Sequence, residues 1–433
     1  MRRISRGLAV AVGASLLLAA CGGADAEPEA TETPTETEGA TEEEPEAPVR
    51  GDEDLVIWTD DTKFDAIKAV ADVFAEANGI TVGVQAVVDT RAAFITANAA
   101  GNGPDVVVGA HDWIGQMVQN GSVEPVQLSA DQLAAYSATA VRAVTYDSQV
   151  YGLPYGVEAV VLYCNPALVG PGPFASLDDA IAGGQAAVDA GTAESALNLP
   201  VGEQGDPYHM QAMFTSAGGY LFGTDADGNY NAEDLGVASA GGVAAAAKIA
   251  SLGEAGSNVL RRSISNDNNI SLFAEGKAGC MISGPWALND VRAGLGEGGY
   301  TVQPMPAFAG MAPAVPFMGA QAFYVASNGL NKTFAQEFVA NGVNSVEAMT
   351  TLYELANLPP AMTAVREATA AGNPDFEVIA AAAEAGAPMP AIPAMAEVWT
   401  PLGVAYAAIV GGADPTASIT DAATAISTAI AGS

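Results

Sequence analysis

The sequence predicts an α/β fold that begins with a parallel β-sheet, and two observations support this prediction. After residue 52, short β-rich runs alternate with amphipathic helices, which is the pattern of βαβ units. The chain has 433 residues, of which 50% are hydrophobic, so it can bury a large core. Its length is sufficient for two or three lobes.

The first elements follow one another closely along the chain. The run 54–58 predicts a strand, and Asp61 or Thr62 is the expected N-cap of the next helix. Gly79 is expected to end this helix, whose apolar residues recur at helical spacing: Phe64, Ile67, Val70, Ala71 and Phe74. A strand, a short helix and a third strand are then predicted at 80–88, 92–100 and 104–109.

Residues 1–20 have the pattern of a signal peptide. Three arginines, at 2, 3 and 6, precede an apolar run at 8–17 that is too short to span a bilayer stably. The run closes on Leu18-Ala-Ala-Cys21, which resembles the processing site of bacterial lipoproteins. This resemblance implies that Cys21 becomes the lipidated N-terminus, on the outer face of the cytoplasmic membrane. An ordinary secreted protein that is cut nearby is the alternative.

Residues 21–52 are expected to form a disordered acidic tether. The segment consists mainly of Ala, Thr, Pro and Glu without apolar periodicity, so it cannot offset the chain entropy that folding costs. The whole chain is also acidic, with a formal net charge of −35. Such a surface repels nucleic acid and anionic lipid headgroups. We therefore expect a monomer that meets the membrane through its N-terminal lipid only.

Several short motifs stand in a fixed order between residue 54 and the C-terminus. They include Gly103-Pro-Asp105, Tyr151-Gly-Leu-Pro154, Asp206-Pro-Tyr208, Gly284-Pro-Trp286 and Met389-Pro-Ala-Ile-Pro393. In this order and with these gaps, the set resembles the maltose/maltodextrin-binding proteins of bacterial ABC importers. These belong to the cluster 1 extracellular solute-binding proteins.

The resemblance implies a two-lobed periplasmic-binding-protein fold of type II, with a hinge and a ligand cleft between the lobes. Lobe 1 would comprise 53–157 and 317–373, and lobe 2 would comprise 158–316 and 374–433. The implied function is to bind an oligosaccharide, a maltodextrin or another α-glucoside, by hinge closure and to deliver it to ABC permease subunits. No cofactor is implied.

The resemblance also implies a set of ligand residues. Trp286 and Trp399 match stacking platforms of the family, while Trp58 is more simply a core residue at a strand end. For each polar residue, a solvated surface position or a helix cap is the alternative. The expected ligand-binding residues are Asp61, Lys63, Asp112, Trp113, Glu158, Asp206, Tyr208, Trp286 and Trp399.

The chain departs from the maltose-binding pattern at several of these positions. Gly109 stands where the family has a tryptophan, and Trp113 stands where it has an arginine. Thr400 and Gly403 replace a later tyrosine and arginine. We therefore expect an oligosaccharide ligand, with maltose itself left open, and Trp113 is a candidate for a different aromatic platform.

Two cysteines remain after Cys21. Cys164 and Cys280 are each predicted on a strand of the second lobe, and the resemblance places these strands close together. A disulfide is therefore one expectation, and two buried free thiols are the other. With His111 and His209 as the only histidines, no metal site is expected, and His111 is expected to have a structural role.

A secreted glycoside hydrolase is the main alternative function. Two carboxylates near aromatic side chains could cleave a sugar, and the candidate pairs are Asp112 with Glu158 and Asp60 with Glu158. A sugar-sensing receptor component is a further alternative. The resemblance favours a binding protein over an enzyme, because the family's closing cleft lacks a positioned nucleophile.

Overall fold

A computed structural model of the protein describes residues 49–225 and 229–432. The predicted signal peptide, Cys21 and nearly all of the predicted tether lie outside these residues. Two main β-sheets form the framework of the described part, and each has apolar clusters on both of its faces.

The strands in chain order are β1 (Leu55–Thr59), β2 (Val82–Ala86), β3 (Val106–Ala110), β4 (Val123–Glu124), β5 (Thr145–Tyr146), β6 (Gln149–Val150), β7 (Gly152–Ala159), β8 (Val161–Cys164), β9 (Ser195–Asn198), β10 (Phe222–Thr224), β11 (Tyr230–Leu235), β12 (Ala278–Ser283), β13 (Thr301–Gln303), β14 (Phe317–Ala326) and β15 (Ala387–Pro388). The α-helices are α1 (Phe64–Asn78), α2 (Thr90–Ala99), α3 (Ile114–Gln119), α4 (Ala130–Leu133), α5 (Ala138–Ala143), α6 (Pro166–Val169), α7 (Leu177–Asp189), α8 (Pro207–Ser216), α9 (Ala240–Leu252), α10 (Asn269–Ala274), α11 (Leu288–Leu295), α12 (Lys332–Glu337), α13 (Val346–Ala356), α14 (Thr363–Thr369), α15 (Pro374–Ala385), α16 (Trp399–Val410) and α17 (Pro415–Gly432). Short 3₁₀ turns lie at Asp61–Lys63, His111–Trp113, Pro285–Ala287, Ala370–Gly372 and Pro393–Glu397, and a π-helical turn lies at Phe338–Gly342.

The first sheet has the strand order β15-β14-β3-β1-β2, and β4 and β7 also pair with β14. β1 is parallel to β2 and to β3, as the sequence predicted. The long strand β14 runs antiparallel to β3 and to β7, so the sheet as a whole is mixed. β1 is buried along its whole length because both faces of the sheet are covered, which explains its unbroken apolar sequence.

The second sheet has the order β13-β8-β12-β9. The chain passes from the first sheet to the second between β7 and β8, and it returns between β13 and β14. The predicted lobe boundaries at 157/158, 316/317 and 373/374 fall within β7, just before β14 and just before α15. One hydrophobic core includes Leu55 of the first sheet, Tyr163 of the second and Phe376 of α15, so the two sheets share part of their apolar interior.

The helix that follows β1 begins differently from the prediction. Asp60, rather than Asp61 or Thr62, is the N-cap, and its carboxylate accepts the backbone N–H of Lys63 across a 3₁₀ turn. The 3₁₀ turn lies between β1 and α1, so the N-cap is one residue earlier than the first predicted position, Asp61. Gly79 ends α1 in the left-handed conformation at φ 63°, as predicted. The predicted core role of Trp58 is also confirmed, since it is fully buried and its indole N–H donates to Gln85 at 2.7 Å.

One described segment, Pro393–Val410, is long and apolar enough to cross a membrane by length and composition alone. Its mean hydropathy is 1.2, and 56% of it is buried inside the protein. Leu402, Tyr406 and Ile409 of α16 are fully buried within a hydrophobic core. This segment is therefore buried in the way that a core helix of the protein is buried.

Candidate functional site

Polar side chains collect at the carboxyl ends of β1 and β3. Each strand leads through a 3₁₀ turn into a helix, at Asp61–Lys63 before α1 and at His111–Trp113 before α3. These turns place Asp60 and Asp112 immediately beyond the strands. Neighbouring parallel strands end at the same edge of a sheet, so the two carboxylates face one cleft.

The cleft has two compartments. The larger has a volume of about 440 Å³ and is lined by Asp60, Asp89, Thr90, Arg91, Asp112, Trp113 and Trp399. The smaller has a volume of about 220 Å³ and is lined by Gln204, Gly205, Asp206, Pro207, Tyr208, Trp399 and Thr400. Because Trp399 lines both, the two compartments adjoin at this residue.

Asp60 and Lys63 form an ion pair beside the larger compartment. The Thr62 hydroxyl also donates to the Asp60 carboxylate, at 2.5 Å. Burial by itself would raise the pKa of Asp60, but the Lys63 ammonium and these hydrogen bonds outweigh it and lower the pKa. Asp60 is therefore an ionised hydrogen-bond acceptor at neutral pH.

Glu158 lies on β7 opposite Gly319 of β14. A Cβ on Gly319 would come within 2.6 Å of the Glu158 side chain, so the glycine leaves room for this carboxyl group. The Gln321 amide donates to Glu158 at 3.3 Å. Burial raises the pKa of Glu158, and the Lys63 charge and the Gln321 bond only partly oppose it. Asp60, Lys63 and Glu158 thus interact electrostatically with one another, and Asp60 lines the larger compartment.

Asp112 is the most buried carboxyl group of the cleft, with 8% of its surface exposed. Burial raises its pKa to about 6, and the Arg91 guanidinium opposes this shift. The adjacent His111 is fully buried, and its Nδ1 accepts the Ala320 backbone N–H at 3.1 Å. Burial lowers the pKa of His111 to about 4. His111 is therefore neutral and joins the turn to β14, which confirms its expected structural role.

Asp206 caps α8 at the border of the smaller compartment. Its Oδ1 accepts the His209 backbone N–H at 3.0 Å, and its Oδ2 lies 2.8 Å from His209 Nδ1. The Asn266 amide donates to the same Oδ2 at 3.2 Å. Both carboxylate oxygens thus have protein partners, so the helix-cap alternative describes this side chain, although Asp206 also lines the compartment.

A row of aromatic rings lies along the smaller compartment. The Tyr208 ring centroid is 6.1 Å from that of Trp286 and 6.0 Å from that of Phe317, and Phe317 is 6.0 Å from Trp399. The Tyr208 hydroxyl is buried, and within the described residues it has no hydrogen-bond partner. Leaving such a group unpaired costs about 1–3 kcal/mol, which favours a ligand that supplies the missing partner.

The structure brings most of the predicted ligand residues to this cleft. Asp112, Trp113, Asp206, Tyr208 and Trp399 line it directly. Lys63 and Trp286 contact lining residues, at Asp60 and Tyr208, and Glu158 interacts with the charges of Lys63 and Asp112. Asp61 is exposed and lines neither compartment, whereas Asp60 does.

The sequence analysis missed Asp89, the N-cap of α2, and Thr90 and Arg91, the first two residues of α2, which line the larger compartment. The sequence contained an indication that these residues reach the cleft. β2 is a third parallel strand at the same edge of the sheet, so polar residues that follow it also reach the cleft.

Cys164 and Cys280 are paired directly across the antiparallel strands β8 and β12, and a disulfide joins them. Both residues are buried in the second sheet. The bond lies inside this sheet, and neither cysteine is among the residues that line the two compartments. Within residues 49–225 and 229–432, no group of three or more His, Cys, Asp or Glu side chains is arranged to hold a metal ion.

A concave site of this kind, with convergent polar groups and aromatic walls on an α/β framework, defines a small-molecule-binding protein. The chain belongs to the family of bacterial extracellular solute-binding proteins, whose family model matches residues 69–384. The family is one of binding proteins, so the glycoside hydrolase alternative is not supported.

The chain is also similar to individual members of known function. It is 28% identical to a galactooligosaccharide-binding protein of Bacillus subtilis (strain 168), over 94% of this chain and 93% of that protein. It is 27% identical to a maltodextrin-binding protein of the same bacterium, over 80% and 82% of the two chains. A maltooligosaccharide ABC transporter solute-binding lipoprotein of Streptococcus pneumoniae (strain ATCC BAA-255 / R6) is 25% identical, over 95% and 94%.

Proposed function

We propose that this protein is the substrate-binding component of a bacterial ABC importer and that its solute is a neutral oligosaccharide. The observation that carries this proposal is a cleft that is lined both by aromatic rings, at Trp113, Tyr208 and Trp399, and by charged groups such as Asp60 and Arg91. A pyranose ring has an apolar C–H face for stacking and a rim of hydroxyls that take such partners.

The named ligands of the relatives support an oligosaccharide. They are a galactooligosaccharide in one case and maltodextrin or maltooligosaccharide in the others. The motifs of the sequence favour an α-glucoside, whereas Gly109 and Gly403 depart from the maltose-binding pattern. Both sugar classes therefore belong in the first binding panel.

In the proposed mechanism, the sugar is held between lobe 1 (53–157 and 317–373) and lobe 2 (158–316 and 374–433). The long strands β7 and β14 lie where the chain passes between the two sheets, and they are the proposed hinge. Sugar contacts from both lobes stabilise the closed form by their differential affinity for it. The closed monomer then docks on the permease subunits.

The proposed location is the outer face of the cytoplasmic membrane, through a lipid on Cys21. Each buried methylene of an acyl chain contributes about 0.8 kcal/mol, so two chains hold a protein stably. Replacing Cys21 with Ser should release the protein into the medium, which cell fractionation measures. If the Cys21→Ser variant and the wild type stay in the membrane fraction equally, the lipid anchor is wrong.

Intrinsic tryptophan fluorescence of the purified protein tests the function. We expect saturation at micromolar concentration, about −8 kcal/mol, by one member of a panel of maltose, maltotriose, trehalose, galactooligosaccharides and unrelated sugars. Chromatography of the mixtures should show no product. Turnover would support a hydrolase instead, and no response to any sugar would reject the proposed ligand class. Glu158→Ala and Trp286→Ala should each weaken binding, and unchanged affinity in both would reject these two residues.

A further inference from the structure

A cluster of residues lines the larger compartment beyond the ends of β2 and β3. Only some of them belong to the expected ligand-binding residues given in the sequence analysis. We propose that Trp113, Arg91 and Asp89 form a subsite for one neutral sugar ring, and that Gly109 positions the Trp113 ring in it. This inference rests on the proposed function and deepens it, because it identifies the residues that recognise one part of the oligosaccharide.

Gly109 lies inside β3 and pairs with Ala322 of β14. Its φ is not in the left-handed region, so the backbone does not require glycine here. A Cβ at this position would lie 2.0, 2.3 and 2.6 Å from Cζ3, Cη2 and Cε3 of Trp113. The indole ring therefore packs directly on the Gly109 backbone, and glycine in a strand commonly marks such a close approach.

Trp113 packs against the hydrophobic core at this end of β3. The preceding residues of its turn, His111 and Asp112, are buried, whereas the Trp113 ring is partly exposed and lines the larger compartment. One side of the ring is thus covered by Gly109, and the part that borders the cleft is available to an apolar sugar face. Any side chain at position 109 would push the ring out of this place.

The second sheet repeats this arrangement independently. β12 ends at Ser283, and Gly284 leads into the 3₁₀ turn Pro285–Ala287. A Cβ on Gly284 would lie 2.2 Å from Cη2 and Cζ3 of Trp286. Trp286 in turn contacts Tyr208, which lines the smaller compartment. Each sheet therefore places a tryptophan on a glycine where a strand meets the cleft region.

Asp89 has an unusual backbone conformation for a residue other than glycine, which indicates a role for its side chain. It adopts the left-handed conformation, φ 47° and ψ 51°, at the N-terminus of α2. Non-glycine residues in this region are uncommon and are enriched at functional sites. Although it occupies the N-cap position, its side chain makes no capping hydrogen bond, and it lines the larger compartment instead.

Arg91 supplies the donors of the proposed subsite. Its guanidinium lines the compartment and interacts with the charge of Asp112. Across the part of the chain that the structure describes, no hydrogen bond or ion pair is formed by the Arg91 side chain, so its five N–H groups are available to sugar hydroxyls. Lys63 balances the charge of Asp60, and the remaining carboxylates, at Asp89 and Asp112, outnumber the Arg91 cation, which favours a neutral sugar over an acidic one.

A double-mutant cycle on the full chain tests the subsite. Calorimetry with a panel sugar that saturates the wild type should give about tenfold weaker binding for Trp113→Ala and for Gly109→Ala. The double variant should lose no more than Trp113→Ala alone, because Gly109 acts only through the ring. Arg91→Ala should also weaken binding several-fold, and Trp113→Phe should restore part of the affinity.

Gly83→Ala is the matched control, since Gly83 lies in β2 of the same sheet and a Cβ there meets only the flexible end of Glu53. Its affinity should equal that of the wild type. Additive losses for Gly109→Ala and Trp113→Ala would overturn the positioning role. Wild-type affinity in folded Trp113→Ala and Arg91→Ala would overturn the subsite while leaving the proposed function intact. A wild type that no sugar saturates would reject the proposed function, and the subsite with it.

Discussion

At the scale of single residues, Asp112 is a carboxyl group that lines the cleft at a cost in stability. It is nearly fully buried, and burial raises its pKa to about 6, well above the value of about 3.9 in an unfolded chain. The native protein therefore binds this proton more tightly than the unfolded chain does. The contribution of Asp112 to stability falls as the pH rises from about 4 through 6.

Replacing Asp112 with Asn should remove this cost. At pH 7 we expect the Asn variant to be more stable by up to about 3 kcal/mol, because a shift of roughly two pKa units is relieved. At pH 4 the difference should be much smaller, since the carboxyl is then almost fully protonated in the native state and about half protonated in the unfolded chain. Urea unfolding of both proteins between pH 4 and 8 measures the difference.

The comparison between the two proteins isolates Asp112 from other titrating groups. His111, whose pKa burial lowers to about 4, acts in the opposite direction, since its contribution to stability is lost as the pH falls from about 6.5 to 4. It does so equally in both proteins. A stability difference that is constant over the whole pH range would contradict the raised pKa of Asp112. The Asn variant should also bind sugar more weakly, because it loses a charged acceptor.

Several residue roles could not be predicted from the sequence. The sequence placed Asp60 and Asp61 equally well after the first strand, and only the 3₁₀ turn shows that Asp60 lines the cleft. Asp206 likewise depends on His209 and Asn266, and the latter lies on a distant loop. Such side-chain partners are set by packing, which local sequence does not encode.

At the scale of elements, the disulfide joins the two central strands of the second sheet. It closes a separation of 116 residues between Cys164 and Cys280. In the chain-entropy account, cross-linking a loop of this length stabilises a protein by roughly 4–5 kcal/mol. The double variant Cys164→Ser, Cys280→Ser should therefore unfold at a distinctly lower urea concentration.

A reductant provides the control for this experiment. It should lower the unfolding midpoint of the wild type and leave that of the double variant unchanged. Labelling in denaturant without reductant should find no reactive thiol at Cys164 or Cys280. If both thiols react, the alternative of two free cysteines holds and the predicted stabilisation fails.

A second element-scale prediction concerns the start of the described chain. Arg50 forms a 2.6 Å ion pair with Asp105, which is fully buried and also accepts the backbone N–H groups of Val56 and Asn331. Arg50→Ala leaves this buried carboxylate without its counter-charge, so we expect a loss on the order of 3 kcal/mol. Urea unfolding measures it, with Lys68→Ala as the control.

The control variant, Lys68→Ala, removes an ion pair that is exposed to solvent. Lys68 and Asp72 are about half exposed on α1, and such pairs contribute less than about 1 kcal/mol. Equal losses for Arg50→Ala and Lys68→Ala would show that the buried pair has no special role. The pair also ties residue 50 to the beginning of β3, whereas the cleft lies beyond the opposite end of this strand.

At the scale of the whole molecule, ligand binding should both stabilise and compact the protein. A sugar present at 100 times its dissociation constant raises the free energy of unfolding by about 2.7 kcal/mol, whatever the details of its contacts. Hinge closure predicts in addition that the radius of gyration falls in small-angle X-ray scattering. Thermal stabilisation without any compaction would contradict hinge closure, but it would still support sugar binding at the cleft.

The distance between the Arg50 contact and the cleft also belongs to this scale. Asp105 precedes β3 and Asp112 follows it, so the contact of Arg50 is about 15 Å from the cleft, at roughly 3.3 Å per strand residue. Residue 50 and the cleft therefore lie at opposite ends of β3.

The sequence by itself determined the α/β class, the first βαβ unit and the family. The first two depend on apolar periodicity, which is a local property of the chain, and the family depends on the order of short motifs, which is read directly along the sequence. Only the tertiary structure decided that β14 makes the first sheet mixed, that Asp60, Asp89 and Arg91 share a compartment with Trp113, and that Gly109 supports its ring. These features join segments far apart in sequence, and their geometry follows from how the sheets pack.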